Sequence, residues 1–262
     1  MNDPFNFDGG VVAVTGGNGQ IGRAVIARLV AAGARVAVLD RVFDQIGDDE
    51  NVFCVATDVT VAASLQSALA LIEARWETPG GLVNAAAIDA PPNAPPEENG
   101  TFETYPESSF DKIMNVNVKG VFLCCQVFGA AMARRGRGSI VNVASIYGMV
   151  SPDQSLYAYR RKRGEEFYKP VAYSVSKSAI LNLTRYLATY WAGKGVRVNT
   201  VSFAGVAAEQ DAEFLERYCP KVPLGRMANV EECAPPIQFL LADASSYVTG
   251  SNLVVDGGFT AW

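Results

Sequence analysis

A run of small and β-branched residues, Val11-Val-Ala-Val-Thr15, passes directly into Gly16-Gly-Asn-Gly-Gln-Ile-Gly22. No other stretch restricts the fold as much. The run lacks polar alternation, as expected of a strand covered on both faces. Ile21, Ala24, Val25, Arg28, Leu29 and Ala32 then keep helical spacing until Gly33 stops it. Ala34–Asp40 reads as a second buried strand, closed by a carboxylate. Strand, glycine turn, helix, strand and acid fit within about 30 residues, the context that gives such glycines meaning. Gly17, Gly19 and Gly22 let backbone N–H groups approach a pyrophosphate at the positive end of the helix. Gly16, Asn18, Gly19, Gln20, Ile21 and Gly22 are therefore candidate dinucleotide contacts, and Asp40 is placed to accept from an adenosine ribose. A carboxylate there repels a 2′-phosphate, which favours NAD over NADP, although the neighbouring Arg41 opposes that preference.

The pattern repeats along the chain. Asn51–Val59 reads as a third strand whose exit, Thr57-Asp58-Val59, can frame an adenine ring, and Thr60 is expected to cap the next helix. Gly81–Ile88 reads as a fourth strand, with Asn84, Ala85 and Ala86 at an exit that passes close under a nucleotide. Phe110–Met132 reads as a long helix carrying Asn115 and Asn117. Ser139–Ser145, Val196–Ser202 and Asn252–Asp256 complete the strands. This alternation predicts one α/β domain spanning residues 1–262, a doubly wound parallel sheet of about seven strands with ligand at the strands' carboxyl ends. Gly16–Gly22, Asp40, Asp58, Asn84 and Ser145 should share that rim.

Three segments interrupt the regularity. Ala90–Pro106 is rich in Pro, Asn and Glu and reads as a surface loop. Residues 151–170 read as an insertion at the mouth of the site, where Arg160, Arg161, Lys162 and Arg163 either meet an anionic substrate group or form a solvated excursion. Residues 203–220 read as a substrate loop or lid with a short helix near Ala212–Arg217. Beyond them Asn229 should cap a helix over Val230–Leu241, kinked or restarted at Pro235 and Pro236.

Tyr173-x-x-x-Lys177 places a phenol and an ammonium one turn apart on a helical face. A nearby cation favours phenolate, bringing Tyr173 toward proton exchange near neutrality. The small residues around it, Ala172, Ser174, Ser176, Ser178 and Ala179, would let another body lie close. Such a pair gains a chemical use only beside a hydride carrier and a carbonyl clamp.

The chain contains no histidine, which excludes a Ser-His-Asp triad, H-E-x-x-H zinc chemistry and any imidazole base. A formal charge of −5 and a pI near 4.9 argue against nucleic acid or an anionic membrane as partner. No apolar run is expected to reach the ~18 residues of a membrane span, and the N-terminus shows no secretion signal. Five cysteines without C-x-x-C read as reduced thiols of a cytoplasmic protein, not a disulfide or metal framework.

Taken in order, Thr15-Gly16…Gly19…Gly22, Asp40, Asp58, Asn84-Ala-Ala, Asn117-Val-Lys-Gly120, Ser145, Tyr173-x-x-x-Lys177, Arg197-Val-Asn199, Pro223-Leu-Gly-Arg226 and Val248-Thr-Gly250…Val255-Asp-Gly-Gly258 resemble the short-chain dehydrogenase/reductase family over essentially the full length. The resemblance implies a Rossmann-type fold and NAD-dependent interconversion of a secondary alcohol and a ketone on a small-molecule substrate. It makes Tyr173 the general acid/base, Lys177 its modulator and the holder of the nicotinamide ribose, Ser145 a donor to the substrate oxygen, and Asn117 the holder of a proton-relaying water. It further implies Gly205 and Val206 as cofactor contacts and a homotetramer or homodimer built on the long helices.

Ser145–Gly148, the insertion, Leu181–Leu187 and the ending Asp256–Trp262 resemble a narrower bacterial subset associated with lipopolysaccharide and flagellin-glycan biosynthesis, which motivates a sugar-like substrate. Three positions depart from the family pattern. Gln20 stands where the compact branch has glycine, Asn84-Ala-Ala-Ala87 replaces Asn-Asn-Ala-Gly, and Phe203–Ala208 lacks the threonine hydroxyl that meets the nicotinamide carboxamide. These departures motivate a second reading, a cofactor-binding scaffold or sensor with little turnover. A sugar-nucleotide epimerase of the longer branch is disfavoured, because the final strand leaves no room for a separate substrate domain.

Overall fold

Seven short strands lie side by side in the order β3-β2-β1-β4-β5-β6-β7, all parallel. They are β1 Val11–Thr15, β2 Arg35–Asp40, β3 Val52–Ala56, β4 Gly81–Asn84, β5 Gly138–Ser145, β6 Val196–Phe203 and β7 Asn252–Val255. The computed structural model describes residues 3–89 and 98–262; of the expected loop Ala90–Pro106, residues 90–97 lie outside the described residues. Every residue of β1, β4 and β5 is buried, as their unalternating sequences require when helices cover both faces. The order reverses between β1 and β4, so the ligand crevice of a doubly wound sheet opens there.

Each sheet face has its own core. One holds Leu39, Leu65, Ile72, Leu82, Phe128, Ile140, Ile180 and Trp191, under α2 (Ala62–Arg75), α3 (Glu107–Arg135) and the long helix Val171–Trp191. The other holds Val25, Leu29, Val83, Val141, Val201, Ile237 and Leu240, under α1 (Gln20–Ala31) and the helix Ala234–Leu241. Burying each large side chain contributes about 1.5–3 kcal/mol, before the entropy of ordering the chain is set against it.

Three local expectations need correction. Thr60 does not cap α2: Val61 takes that place without a side-chain cap bond, and the Thr60 hydroxyl donates instead to Asp58 Oδ1 at 2.6 Å. Helix α3 runs from Glu107, further than Phe110–Met132, and contains two wide π-type turns, Asn115–Gly120 and Cys125–Gly129. Each ends on a glycine pressed by a neighbour, for a Cβ on Gly120 would stand 2.9 Å from Val59 Cγ2 and one on Gly129 2.4 Å from Trp191 Cη2. That same helix is apolar enough on average to cross a membrane, with a mean hydropathy of 1.5 over its best window, despite lacking an uninterrupted apolar run. Of that window 56% is buried inside the protein, the property of a core helix. The prolines resolve as a restart: a tight turn Val230–Cys233, held by an Asn229–Glu232 capping box, hands over to the helix Ala234–Leu241 with proline in its first turn.

The segment after β5 is folded. A turn Gln154–Tyr157 leads into α4 (Ala158–Lys162), then the chain returns to α5 (Val171–Trp191). With α6 (Ala212–Tyr218) this segment builds a third, small core of Leu156, Tyr157, Phe167, Tyr218, Val222 and Met227, against which Phe214 and Phe259 pack.

Candidate active site

The glycine turn is shaped by backbone meeting backbone. Gly16 has a φ of +65°, and a Cβ on it would stand 2.7 Å from the Ala86 Cα and N atoms. A Cβ on Gly22 would stand 2.3 Å from the Gly16 carbonyl oxygen. Gly19 occupies the N-cap of α1 without a side-chain cap bond, so the first turn (Gln20, Ile21, Gly22) presents N–H groups available to an anion. The Asp40 carboxylate faces this turn, accepting from Asn18 N at 3.0 Å and Arg41 N at 2.7 Å. A tight cradle at an open helix N-terminus, with an acid at the next strand end, fits the pyrophosphate and adenosine ribose of a dinucleotide.

The neighbouring strand exits are pinned to the same turn. Thr15 Oγ1 accepts from the N–H groups of Ala85 and Ala86, both at 3.2 Å. Asp58 folds back on its own turn, accepting from Thr60 N at 2.8 Å, and those bonds hold its carboxyl below the ordinary range. Val59 packs against Gly120. The Asn84 side chain points inward instead: its amide donates to Asn142 Oδ1 at 2.8 Å, and Asn142 donates to Thr184 Oγ1 at 2.9 Å. Only the Asn84 backbone belongs to the rim.

Gln20 does not crowd the turn. Its side-chain amide reaches over to the segment after β6 and donates to the Ala207 carbonyl at 2.7 Å. That segment lacks the family's hydroxyl and is held by other means. Gln210 Nε2 donates to Val206 O at 3.1 Å, Gly205 N donates to the Tyr218 hydroxyl at 2.7 Å, and Val206 bridges Ala228.

Ser145 ends β5, and its Oγ accepts from Tyr147 N at 3.2 Å as the chain turns away. Gly148 in that turn lies against α5, where a Cβ would stand 2.7 Å from the Lys177 carbonyl, and Ser178 Oγ donates to Gly148 O at 3.0 Å. The small residues of α5 thus permit the close approach that brings Ser145 near enough to Tyr173 for its hydroxyl to favour the phenolate. Lys177 is buried, with Nζ donating to the Val143 carbonyl at 2.9 Å and standing 5.7 Å from the Tyr173 ring centroid.

The electrostatics differ from the expectation that Lys177 makes Tyr173 acidic. Burial pushes the Tyr173 phenol well above its ordinary value, the Asp89 charge adds to this, and the Ser145 hydroxyl only opposes it. Burial also draws the Lys177 ammonium down to about 8, with Asp89 opposing. Desolvation outweighs the cation because Lys177 is directed at a carbonyl rather than at the phenol oxygen. In the free site Tyr173 is a protonated donor.

The Asn117 side chain is fully engaged. Its Oδ1 accepts from Ile88 N at 2.8 Å, and its Nδ2 donates to Ile88 O at 2.9 Å and to Ser176 Oγ at 3.0 Å. The amide ties α3 and α5 to the exit of β4. The basic run is likewise engaged in folding the insertion. Arg160 pairs with Glu165 at 2.7 Å, Arg161 donates to the carbonyls of Phe167 and Gln154, both at 2.8 Å, and Arg163 pairs with Glu213 at 2.9 Å. Arg160, Arg161 and Arg163 are thus bonded within the protein, neither directed at an anionic ligand nor simply solvated as the two readings had them, and Lys162 is exposed.

Sequence reasoning passed over Asp89 and Lys169, which ion-pair at the mouth of the site, and Tyr157 of the small aromatic core, whose hydroxyl and that of Tyr147 lie close enough to affect each other's acidity. The only signal for Lys169 was its place before Pro170 at the start of α5. Asp89 had none beyond following a strand exit.

A nucleotide cradle at the sheet's reversal point and a Ser-Tyr-Lys cluster on the same rim define a dinucleotide-dependent oxidoreductase. A family profile described as enoyl-(acyl carrier protein) reductase matches residues 17–260. The chain is 35% identical over 272 residues to the galactitol 2-dehydrogenase (L-tagatose-forming) of Cereibacter sphaeroides, covering 98% of each. It is 34% identical over 269 residues to the D-threitol dehydrogenase of Mycolicibacterium smegmatis, covering 98% of this chain and 95% of that one. A short-chain dehydrogenase from Leptospira borgpetersenii, solved with bound NAD+, superposes with a TM-score of 0.88 at 32% identity, over 99% of this chain and 96% of that one. The chain belongs to the short-chain dehydrogenase/reductase family, nicotinamide-dependent oxidoreductases acting on CH–OH groups.

Proposed function

We propose that this protein oxidises a secondary hydroxyl of a polyol or sugar alcohol to the ketone, and reduces the ketone in reverse, with Tyr173 transferring the proton. The observation that carries this reading is the nearness of Ser145, at the end of β5, to Tyr173 and buried Lys177 on the rim that carries the glycine cradle. A nicotinamide dinucleotide supplies the hydride chemistry when bound. Ser145 and Tyr173 hold the reacting oxygen between two preorganised donors, and Lys177 holds the nicotinamide ribose. With its side chain engaged, Asn117 can serve a proton relay only through its main-chain carbonyl. Gly16, Asn18, Gly19, Gln20, Ile21 and Gly22 would hold the pyrophosphate, Asp58 and Val59 the adenine, the Asn84, Ala85 and Ala86 backbone the adjoining ribose, and Gly205 and Val206 the carboxamide. The Asp40 carboxylate favours NAD over NADP. The insertion 151–170 and the lid 203–220 would close over the substrate as one unit.

The polyol is taken from what the named relatives act on; they give no support to the glycan-biosynthesis subset. We further read the protein as a cytoplasmic homotetramer or homodimer. Its five free thiols support the compartment, and the exposed Phe122, Tyr186 and Tyr190 beside a groove between α3 and α5 support the assembly.

The test is NAD+ and NADP+ reduction by purified protein against galactitol, D-threitol and related polyols, with light scattering for the assembly. Wild type should turn over at least one of them with NAD+, and Tyr173→Phe should lose roughly 10²–10⁴-fold in kcat while keeping cofactor affinity. Tight NAD+ binding without turnover of any hydroxyl substrate would overturn the reading in favour of a scaffold or sensor.

A further inference from the structure

Tyr173 faces a second ammonium besides Lys177, and this one comes with its own counter-charge. Lys169 Nζ lies 4.9 Å from the Tyr173 ring centroid, nearer than Lys177 at 5.7 Å. The same Nζ forms an ion pair with Asp89 Oδ2. The Lys169 side chain is only 12% exposed and that of Asp89 39%, so the pair sits where the site opens to solvent.

Side-chain amides hold the backbone at Lys169 and next to Asp89, and one of them, Asn117, also ties α3 to α5 through Ser176. Gln154 clamps Lys169 in both directions: Lys169 N donates to Gln154 Oε1 at 2.9 Å, and Gln154 Nε2 donates to Lys169 O at 3.1 Å. Pro170 then leads directly into α5. Asn117 clamps Ile88 in the same two-way manner, at 2.8 and 2.9 Å, and so fixes the residue preceding Asp89. Two amide side chains, from different elements, thus hold one cation and one anion against the same phenol.

We propose that Lys169 and Asp89 are positioning residues that form a charge-balanced pair setting the acidity of Tyr173, a control separate from that of Lys177. The inference rests on reading Tyr173 as the acid/base. Loss of the Lys169 ammonium removes a cation from beside the ring, and loss of the Asp89 charge removes one that disfavours phenolate, in a site where burial amplifies charge. The Asp89 charge already acts on Tyr173 and Lys177, and on Tyr105, Tyr147 and Tyr157. The described groups that act on the phenol or lie near its ring are Lys177 on its own helix, Ser145 from the exit of β5, Asp89 from the exit of β4 and Lys169 from the insertion. Tyr218 of α6 stands behind Tyr147. Among these described groups Lys169 and Asp89 are the two in direct ion-pair contact.

The test follows the Tyr173 phenol itself, so it does not depend on finding the substrate. Protein carrying ¹³Cζ-tyrosine is titrated by NMR with NAD+ present, and the Tyr173 resonance is identified by its loss in Tyr173→Phe. Asp89→Asn should lower the Tyr173 midpoint by about one pH unit and Lys169→Met should raise it by about as much. Lys169→Arg should hold the wild-type midpoint, and Asp89→Asn/Lys169→Met should return close to it. Where D-threitol is turned over, the pH limb of kcat should move in the same directions. A merely structural pair would change thermal stability in all three neutralised variants without opposed shifts. Single variants whose midpoints move together or stay put overturn the proposal, as does a Tyr173 that fails to titrate in Asp89→Asn across the range where that variant remains folded. Failure of every polyol with opposed midpoints intact would instead remove the substrate reading and leave this pair standing.

Discussion

Around Gly16–Gly22 the chain is shaped by contacts between backbones, whereas around Tyr157 and Tyr218 it is shaped by stacked rings. The first region admits no side chain at its tightest points, since a Cβ on Gly22 or Gly16 would meet backbone atoms at 2.3 and 2.7 Å. The second brings Tyr157 to 4.8 Å from Phe167 and 5.7 Å from Phe214, and Tyr218 to 5.3 Å from Phe214 and 5.4 Å from Phe259. A backbone-built cradle reads any dinucleotide by its phosphates, because every residue offers the same N–H groups. A side-chain-built roof can be re-cut for each substrate without disturbing the cradle. Binding of cofactor and choice of substrate are therefore separable by mutation, and the following substitutions are chosen to test that separation.

Gly22→Ala should have the largest effect. Its methyl would press on the Gly16 carbonyl and on Gly17, with no flexible side chain to yield. Overpacking of this kind costs up to about 3 kcal/mol, and the displaced turn should lose its hold on the pyrophosphate. Denaturant unfolding with and without NAD+ should show lower stability and no stabilisation by cofactor. A variant that NAD+ protects as well as wild type would show that the cradle tolerates side chains and would break the contrast.

This difference also explains what could be read in advance. Glycines at Gly16 and Gly22 announce themselves because only glycine satisfies such close approach, and the strands Val11–Thr15 and Val196–Phe203 because burial on both faces forbids polar alternation. The restart at Pro235 followed from the missing N–H of proline. The pairing of Lys169 with Asp89 joins residues far apart in sequence through a clamp by Gln154 and another by Asn117, and nothing in local spacing reports it. The acidity of Tyr173 was misjudged for a related reason. Spacing shows that Lys177 is near, but burial and the direction in which its ammonium points are properties of the assembled site. The basic residues Arg160, Arg161 and Arg163 suggested an anion because their partners, Glu165, the Phe167 and Gln154 carbonyls and Glu213, were visible only once the insertion was folded.

Tyr218→Phe probes the roof at intermediate size. The hydroxyl accepts from Gly205 N at 2.7 Å, and its removal leaves that N–H unpaired, at a cost of about 1–3 kcal/mol. Because the roof is loosened and the pyrophosphate cradle is not, KM for the alcohol should rise several-fold and the Kd for NAD+ should rise less, through the carboxamide contact of Gly205 alone. An equal rise in both would mean that roof and cradle act as one body. Gln20→Ala tests the point where they touch. It removes the bond to Ala207 O, an exposed contact of about 0.5–1.5 kcal/mol, and should speed release of NADH in stopped-flow fluorescence by less than about tenfold. Unchanged release would make the clasp incidental.

The smallest effect belongs to the outer edge of the roof, where Lys221 Nζ lies 2.7 Å from Asp153 Oδ2. Lys221 is the larger cause that holds the Asp153 carboxyl at about 2, and Ser155, through its side chain and backbone, is the next. A carboxyl depressed on folding contributes stability that is present above its ordinary value of 3.8 and is lost as pH falls toward about 2. Both side chains are more than a third exposed, at 42% and 38%, so solvent screening keeps the contribution below about 1 kcal/mol. Lys221→Met should therefore raise the Asp153 midpoint, followed by carboxyl NMR, part of the way toward 3.8. It should not reach that value, because Ser155 N still donates to Asp153 Oδ1 at 2.8 Å. Added salt should reproduce part of the shift in wild type and none in the variant, since only the Lys221 contribution is a screened charge–charge interaction. An Asp153 midpoint indifferent to both changes would place its depression in the turn alone and leave the roof without an electrostatic tie at this edge.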